Sequence, residues 1–392
     1  MTSQKTVKFL VASCALLLAL GMGHAHAVAA QPHAQTAHKK PAHKKVRAAV
    51  PVIVSKPPAD ARDYDYQARI QEAQALVAKE PVLPGDMQLD ADGRLAHFVW
   101  TLAVGQGVGP LKIVRMDETG KNDQGLTITW PVDNFINTHF RVTQPEGMIV
   151  FAQRRPVHTK DGYQEAVYTA YAPELDTKTM RAAGMEYLRH LERLAYNRIN
   201  DHDVRSHVAP NHTVADEIPR DMVLRLMITE HVDPLHMKYV GIEQCVHEVL
   251  FTIAANQGHA YAYARSSAGA MGLPQFMEDS YQMVRANYPG ALLEPNFALG
   301  MTNLGNAVLA SVLLLDLELT ELPRDTLKRF TASGQQLDAY LAAGYNRNPV
   351  HVVQTYHRTH SLTGGDAPFQ SKMYVRIQSW IGGFLQKEYG IL

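Results

Sequence analysis

The segment 267–281 decides the fold that we expect for this chain, and it reads S-A-G-A-M-G-L-P-Q-F-M-E-D-S-Y. Its first half is rich in small residues that let a backbone or a bulky ligand come close, namely Ala268, Gly269, Ala270 and Gly272. Its second half has apolar residues at helical spacing, namely Leu273, Phe276 and Met277. Between them, Gln275 offers both a hydrogen-bond donor and an acceptor. This pattern predicts a tight turn that leads into a buried helix, and a simple helix-packing turn is the alternative.

The order of these residues closely resembles the A-G-A-x-G-L-x-Q-x-M signature of lytic transglycosylases, bacterial enzymes with a lysozyme-like fold that cleave peptidoglycan. The membrane-bound B-type enzymes of this family carry A-G-A-M-G-x-G-Q-F-M-P-S-S-Y, which is also close to the segment in this chain. The resemblance implies that Gly269, Met271 and Gln275 contact the glycan substrate, with Gln275 helping to orient the sugar.

A candidate acid, Glu230, stands at the end of an apolar run with helical spacing whose earlier members are Val223, Leu226 and Met227. Pro219 can open this helix and Asp233-Pro234 stops it just after Glu230. A carboxyl among apolar neighbours is desolvated, which keeps it protonated near neutral pH, and glycosidic cleavage needs such a proton donor. The spacing also allows a glutamate at a helix end that reaches into solvent.

The residues around Glu230 also resemble the family, with departures. The run E-H-V-D-P at 230–234 looks like a shortened form of the E-S-x-F-N-P pattern that holds the catalytic Glu, and His231 stands in place of Ser. The gap of 39 residues between Glu230 and Gly269 is long for the family but is similar to that of the B-type enzymes. An inserted helix at about 240–257 would fill it, and its Glu243 and Glu248 are weaker alternatives for the acid.

Two later segments agree with the resemblance. The nearly all-apolar segment 297–315 predicts a helix broken by Asp316, similar to the family's core helix. The run A-A-G-Y-N at 342–346 resembles the A-A-Y-N-A-G loop, which implies that Tyr345 and Asn346 line the cleft. An ordinary turn is the alternative there.

The last matching segment is Q-S-K-M-Y-V at 370–375, which resembles the family's E-T-x-x-Y-V. Gln370 stands where Glu is usual, and Tyr374 matches the Tyr. The resemblance therefore covers about residues 215–385, with its motifs in the family order.

Most glycosidases use two carboxylates, and this region supplies one good acid with no second carboxylate in a matching motif. The resemblance implies that Glu230 protonates the glycosidic oxygen between MurNAc and GlcNAc and then acts as a base. The 6-hydroxyl of the sugar closes a 1,6-anhydro ring, and Gln275, Tyr345 and Tyr374 orient the sugar. No metal and no cofactor are needed. Hydrolytic lysozyme action is one alternative, and a non-catalytic glycan-binding or envelope-assembly protein is another, favoured by the departures at His231 and Gln370.

The N-terminus predicts export to the periplasm. Lys5 and Lys8 precede an apolar run at 9–20, and small residues follow, so we expect a signal peptide cleaved near Ala27 or Ala30. Cys14 lies inside the apolar run instead of at its end, which argues against a lipid anchor.

The composition argues against one class of binding partner. Lys+Arg and Asp+Glu both number 38, and a zero net charge argues against a nucleic-acid binder. The expected partner is the peptidoglycan glycan strand. Cys245 would be the one cysteine left after cleavage, so we expect no internal disulfide and an inert buried thiol.

We expect an α+β chain with a mainly α, lysozyme-like C-terminal domain after a small β-rich domain. The predicted divisions are a signal peptide at 1–30, a basic disordered tether at 31–62, a short helix at 63–84, a β-rich domain at 85–172, a linking helix at 173–204 and a lysozyme-like domain at 205–392. Strands are expected at 95–104, 126–130, 147–153 and 166–171. The β-rich domain is a candidate surface for other envelope proteins, and its aromatic residues, Trp100, Trp130, Phe135 and Phe140, fit core packing better than glycan binding.

Overall fold

The computed structural model describes residues 65–132, 135–159, 162–364 and 367–391. The expected signal peptide at 1–30, with its cleavage sites and Cys14, and the expected tether at 31–62 lie outside the described residues.

The chain has a mixed α and β fold, with its strands in the first part and its helices mostly in the second. The strands are β1 (Met87–Leu89), β2 (Leu95–Gly105), β3 (Lys112–Asp117), β4 (Thr127–Val132), β5 (His139–Gln144), β6 (Ile149–Thr159) and β7 (Gly162–Tyr168). The helices are α1 (Gln67–Lys79), α2 (Lys178–Asp201), α3 (Val214–Glu217), α4 (Arg220–Thr229), α5 (Pro234–Val240), α6 (Ile242–Asn256), α7 (Glu278–Asn287), α8 (Phe297–Thr302), α9 (Leu304–Leu319), α10 (Arg324–Ser333), α11 (Gln335–Asn346), α12 (Pro349–Thr359) and α13 (Phe369–Tyr389). This order confirms the expected α+β class at the coarse level. Within the described ranges, every helix is too short or too polar to cross a bilayer.

The β region is built on two long antiparallel strands. β2 and β6 pair with Thr101 opposite Arg154, and β3, β1 and β7 extend the sheet at its sides. β4 and β5 form a separate two-stranded sheet, and Phe140 of β5 packs against Trp100 of β2. Both rings are buried, as the sequence indicated, whereas Phe135 keeps 40% of its surface exposed.

The helical part surrounds α9, which is buried on almost every side. A helix that is apolar all round belongs inside a core, and α9 contacts α2, α7, α8 and α11. The single helix expected at 297–315 is in fact two, because Asn303 caps α9 by accepting from the backbone N–H of Asn306 at 3.1 Å. Asp316 lies inside α9 instead of breaking it.

Asp316 is tolerated in the core because its carboxylate is hydrogen-bonded. It accepts from Ser206 Oγ at 2.6 Å, from the His207 backbone N–H at 2.8 Å and from the Tyr288 hydroxyl at 2.7 Å. A buried charge with these partners holds three separate segments together.

Helix α2 belongs to the helical core instead of linking two separate units. Leu188, Leu191 and Tyr196 are buried in the same cluster as residues of α4, α6 and α9. A Cβ atom on Gly184 would lie only 1.9 Å from the carbonyl oxygen of Leu250, so glycine is required for this close approach of α2 and α6. Leu194 lies on the outer side of α2 and is 46% exposed.

The sheet and the helices meet along a shared apolar seam. One buried cluster contains Ile70 of α1, Phe151 of β6, Phe251 of α6 and Tyr171, which follows β7. The side chain of Asn256 accepts from the Thr169 backbone N–H and donates to the Thr169 carbonyl, both at 2.8 Å. The β region is therefore fixed against α6, and a cavity lined in part by α6 lies beside this contact.

Candidate active site

A cavity of about 800 Å³ lies between the β region and the helical part. Phe135, His139 and Tyr168 line it from the β region, and Glu230 and Gln275 line it from the helical part. Its size falls in the range of ligand-binding clefts. The sequence resemblance indicated the helical wall, whereas the wall from the β region was not expected.

Glu230 enters the cavity from the end of α4. The apolar face of α4 is buried, helical residues end at Thr229, and Glu230 is the C-cap, half-buried with its side chain at the cavity wall. The hydroxyl of Tyr374, on α13, donates a hydrogen bond to Oε1 of Glu230. The structure thus joins two of the predicted site residues that are 144 positions apart in the chain.

His231, the residue after Glu230, contacts the glycine-rich segment and Tyr261. Its Nε2 is 2.8 Å from the carbonyl oxygen of Leu273, and its ring stacks on Tyr261 at 3.6 Å with an angle of 15°. A carbonyl only accepts, so Nε2 carries the proton. Burial lowers the pKa of His231 to about 4, which keeps the ring neutral. His231 therefore ties the turn after Glu230 to the glycine-rich segment.

The glycine-rich segment is a pair of tight turns and not the start of a helix. Met271 pairs with Phe276 through backbone hydrogen bonds of 2.9 Å and 3.0 Å, and α7 begins only at Glu278. The expected helix fails because Gly272 and Gln275 have positive φ values of 74° and 48°. A Cβ atom on Gly272 would also lie 2.7 Å from the carbonyl oxygen of Met301, so this glycine allows α8 to approach.

Gln275, which the resemblance predicts to contact the glycan, lies in the cavity lining. Its Nε2 donates to the Gly272 carbonyl at 2.8 Å, which holds the amide in place beside the cavity. Gly269 and Met271 are outside the cavity lining. Met271 is half-buried, with its sulfur 3.2 Å from Nη2 of Arg265, a residue that does line the cavity.

Tyr345 and Asn346 form the end of α11 instead of a loop, and both are buried behind the cavity wall. The hydroxyl of Tyr345 donates to the carbonyl oxygen of Pro274 at 2.7 Å. Tyr374 is also buried, and Gln370 is exposed on the first turn of α13. Tyr345, Asn346 and Tyr374 are therefore outside the cavity lining, and Tyr374 supports Glu230 from behind it.

Two other carboxylates line the cavity, and each has a structural partner. Asp233 caps α5 by accepting from the backbone N–H of Leu235 at 2.8 Å. Glu248 has both oxygens 3.0 Å from Nε2 of His236, and this hydrogen bond raises the pKa of His236. Glu243 lies outside the cavity, exposed and 4.0 Å from Lys387. Glu230 is the cavity carboxyl that is aimed by a hydroxyl.

Cys245 also lines the cavity, and it is buried, as expected. Burial raises the pKa of its thiol to about 12, so the reactive thiolate is disfavoured and the residue is inert at neutral pH. His139, on the β side, has its pKa lowered to about 4 by burial. In the part of the chain that the structure describes, no group of three or more His, Cys, Asp or Glu side chains is arranged to hold a metal ion.

Sequence reasoning missed the wall from the β region and the role of Tyr261. Phe135 was noticed only as one of four aromatic residues, and His231 only as a departure from a pattern. Comparison of the chain with protein-family models, with curated proteins and with solved structures finds no match.

Proposed function

We propose that this chain is a peptidoglycan lytic transglycosylase that cleaves the β-1,4 bond between MurNAc and GlcNAc and leaves a 1,6-anhydroMurNAc end. The observation that carries the proposal is Glu230, whose carboxyl lines a cavity of about 800 Å³ and accepts a hydrogen bond from Tyr374. The motif order along the chain supports it. We extend the proposal to a lysozyme-like fold for the helical part and to action in the periplasm.

The hydrogen bond from Tyr374 distinguishes the two oxygens of Glu230. Because the hydroxyl donates to Oε1, a proton on the carboxyl belongs on Oε2. In the first step Oε2–H protonates the glycosidic oxygen, and the bond from the sugar C1 to that oxygen breaks. In the second step the carboxylate takes the proton of the 6-hydroxyl, and the O6 atom of the sugar bonds to C1. The proton transfer restores the acid form of Glu230.

One acid is sufficient for this route, because the nucleophile is a hydroxyl of the substrate itself. The other cavity carboxylates favour it as well, since Asp233 caps a helix and Glu248 pairs with His236. Gln275, fixed by the Gly272 carbonyl, presents an amide to the sugar. A hydrolytic lysozyme would need a group that activates water, and a glycan-binding protein would use the same cavity without cleavage.

Digestion of purified sacculi by the mature protein, followed by mass spectrometry of the muropeptides, tests the proposal. We expect anhydro-muropeptides. Reducing-end products would support the lysozyme mechanism instead, and intact sacculi with bound protein would support the binding function.

A further inference from the structure

Phe135 has an unfavourable backbone conformation beside the cavity. Its φ is 52°, in the left-handed region that bulky side chains rarely adopt, and the residue is 40% exposed. Exposing an aromatic ring in a strained conformation lowers stability, and such strain is retained where the surrounding structure enforces it and a function uses it.

The surrounding structure does enforce this conformation. The Phe135 carbonyl accepts from Nη1 of Arg155 at 2.9 Å, and the next carbonyl, of Ile136, accepts from Nε2 of Gln153 at 2.7 Å. Arg155 and Gln153 are both buried, on neighbouring positions of β6. The guanidinium carbon of Arg155 also lies 4.9 Å from the centre of the Phe135 ring. Two buried polar side chains thus hold one exposed ring at the cavity.

We propose that Phe135 is a stacking platform for a pyranose ring, a sugar-binding site that the β region adds to the cavity. The inference rests on the proposed function, because it takes a glycan as the ligand of this cavity. It gives the β region a role in substrate binding.

The chemistry of the two surfaces favours a sugar. The faces of a pyranose ring present C–H groups with a slight positive charge, and they pack well on the negative face of an aromatic ring. The hydroxyls at the rim of the sugar need polar partners, and Asn137 and His158 line the same wall of the cavity. A purely apolar ligand would cover these polar side chains without offering them a hydrogen bond.

The test measures binding of a β-1,4-linked N-acetylglucosamine hexasaccharide to the full mature chain by calorimetry. Phe135→Asn removes the aromatic face and keeps a residue that adopts the left-handed conformation, so the protein should melt at the wild-type temperature. We expect the Kd to rise about 3- to 10-fold, the contribution of one aromatic contact. Phe135→Tyr, which keeps the aromatic face, should bind like the wild type.

Trp380→Ala is the matched control, since Trp380 is 44% exposed but lies outside the cavity lining. Its Kd should stay unchanged. Three results would each overturn the inference: wild-type affinity in Phe135→Asn, loss of affinity in Trp380→Ala alone, or no hexasaccharide binding by the wild type. The sacculus digestion remains a separate measure of cleavage. If the protein cleaves sacculi but Phe135→Asn leaves the hexasaccharide Kd unchanged, only the stacking platform is refuted. If Phe135→Asn raises the Kd but the wild type does not cleave sacculi, only the proposed enzymatic activity is refuted.

Discussion

Single residues hold Glu230 in place from two directions. Tyr374 approaches the carboxyl from α13, and His231 ties the next peptide to the carbonyl of Leu273. The distant members of these contacts, Tyr374 and Leu273, lie far from α4 in the sequence. We therefore expect Glu230 to react with the substrate, and Tyr374 and His231 to hold Glu230 in position.

Glu230→Gln should abolish turnover and leave folding and glycan affinity intact. Glutamine keeps the size of the side chain and an oxygen that can accept from Tyr374, but it cannot exchange a proton. General acid–base catalysis contributes about 10²–10⁴-fold, and the loss should reach at least the upper end because one group serves both steps. The measurement is the rate of anhydro-muropeptide release.

Glu243→Gln is the matched control, because Glu243 is exposed outside the cavity, and it should retain activity. Glu248→Gln is a weaker control, since it removes the carboxylate that pairs with His236 inside the cavity. Turnover near wild type in Glu230→Gln would show that the acid is misplaced.

Tyr374→Phe should lower kcat about 10- to 100-fold, the value of one hydrogen bond to a charged group. KM should change little, because Tyr374 lies behind the cavity wall and is not expected to touch the sugar. Steady-state kinetics on a soluble glycan fragment separate the two constants. A change in KM alone would assign Tyr374 to substrate binding instead of to positioning.

Three histidines make stability depend on pH. Burial lowers the pKa of His139, His231 and His247 from 6.5 to about 4. Between these values the unfolded chain binds protons that the folded chain does not, so the free energy of unfolding falls as the pH falls from 6.5 to about 4. Urea unfolding across this range measures the slope. His231→Phe keeps a ring against Tyr261 that cannot be charged, and its slope should be smaller.

Among the elements, α9 carries two buried carboxyls with opposite consequences. Asp316 has three hydrogen-bond donors, whereas Oε2 of Glu318 is buried with no hydrogen-bond partner among the described residues. Burial raises the pKa of Glu318 well above 4.5. The folded state therefore keeps Glu318 neutral. Above pH 4.5 this carboxyl ionises in the unfolded chain but not in the folded one, so the free energy of unfolding falls as the pH rises.

Glu318→Leu should raise the melting temperature near neutral pH, because it removes a carboxyl that ionises only on unfolding. The gain should shrink toward pH 4.5, where the unfolded state is also partly neutral. Asp316→Ala should destabilise the protein by about 3 kcal/mol, since it leaves buried donors unpaired. Calorimetry at several pH values compares both variants with the wild type, and a destabilised Glu318→Leu at neutral pH would contradict the argument.

The sequence predicted elements well where one local pattern dominates. Apolar spacing located α4 and α2 to within a few residues, and β-branched runs located β2 and β6. It missed β1, β3 and β5, which are short and become ordered through pairing with β2 and β4. The helical spacing of Leu273, Phe276 and Met277 was misleading, because positive φ values at Gly272 and Gln275 override it.

The candidate site was predictable only in part, because local motifs mark some of its residues and tertiary contacts bring in the others. Glu230, Gln275 and Tyr374 carry motifs that can be recognised along the chain. The stacking of His231 on Tyr261 and the approach of Phe135 to the cavity depend on tertiary contacts that leave no periodic signal.

At the scale of the whole molecule, the helical part depends on α2. A chain starting at residue 205 lacks the buried apolar side chains of α2, each worth about 1.5–3 kcal/mol on burial, and their sum is comparable with a typical domain stability of about 5–15 kcal/mol. We expect it to be unfolded, whereas a chain starting at Asp65 keeps every described core residue and should fold. Circular dichroism and thermal melting compare the two, and a cooperative transition in the shorter chain would refute this view.

Because the cavity lies between the β region and the helices, the glycan that we propose as its ligand would touch both at once. Any local opening that parts the 135–139 turn from α5 must first release the ligand, so binding adds its own free energy to the cost of that opening. Saturating glycan should therefore slow amide hydrogen exchange in the 135–139 turn and in α5 together. These two stretches are about 100 residues apart in the chain.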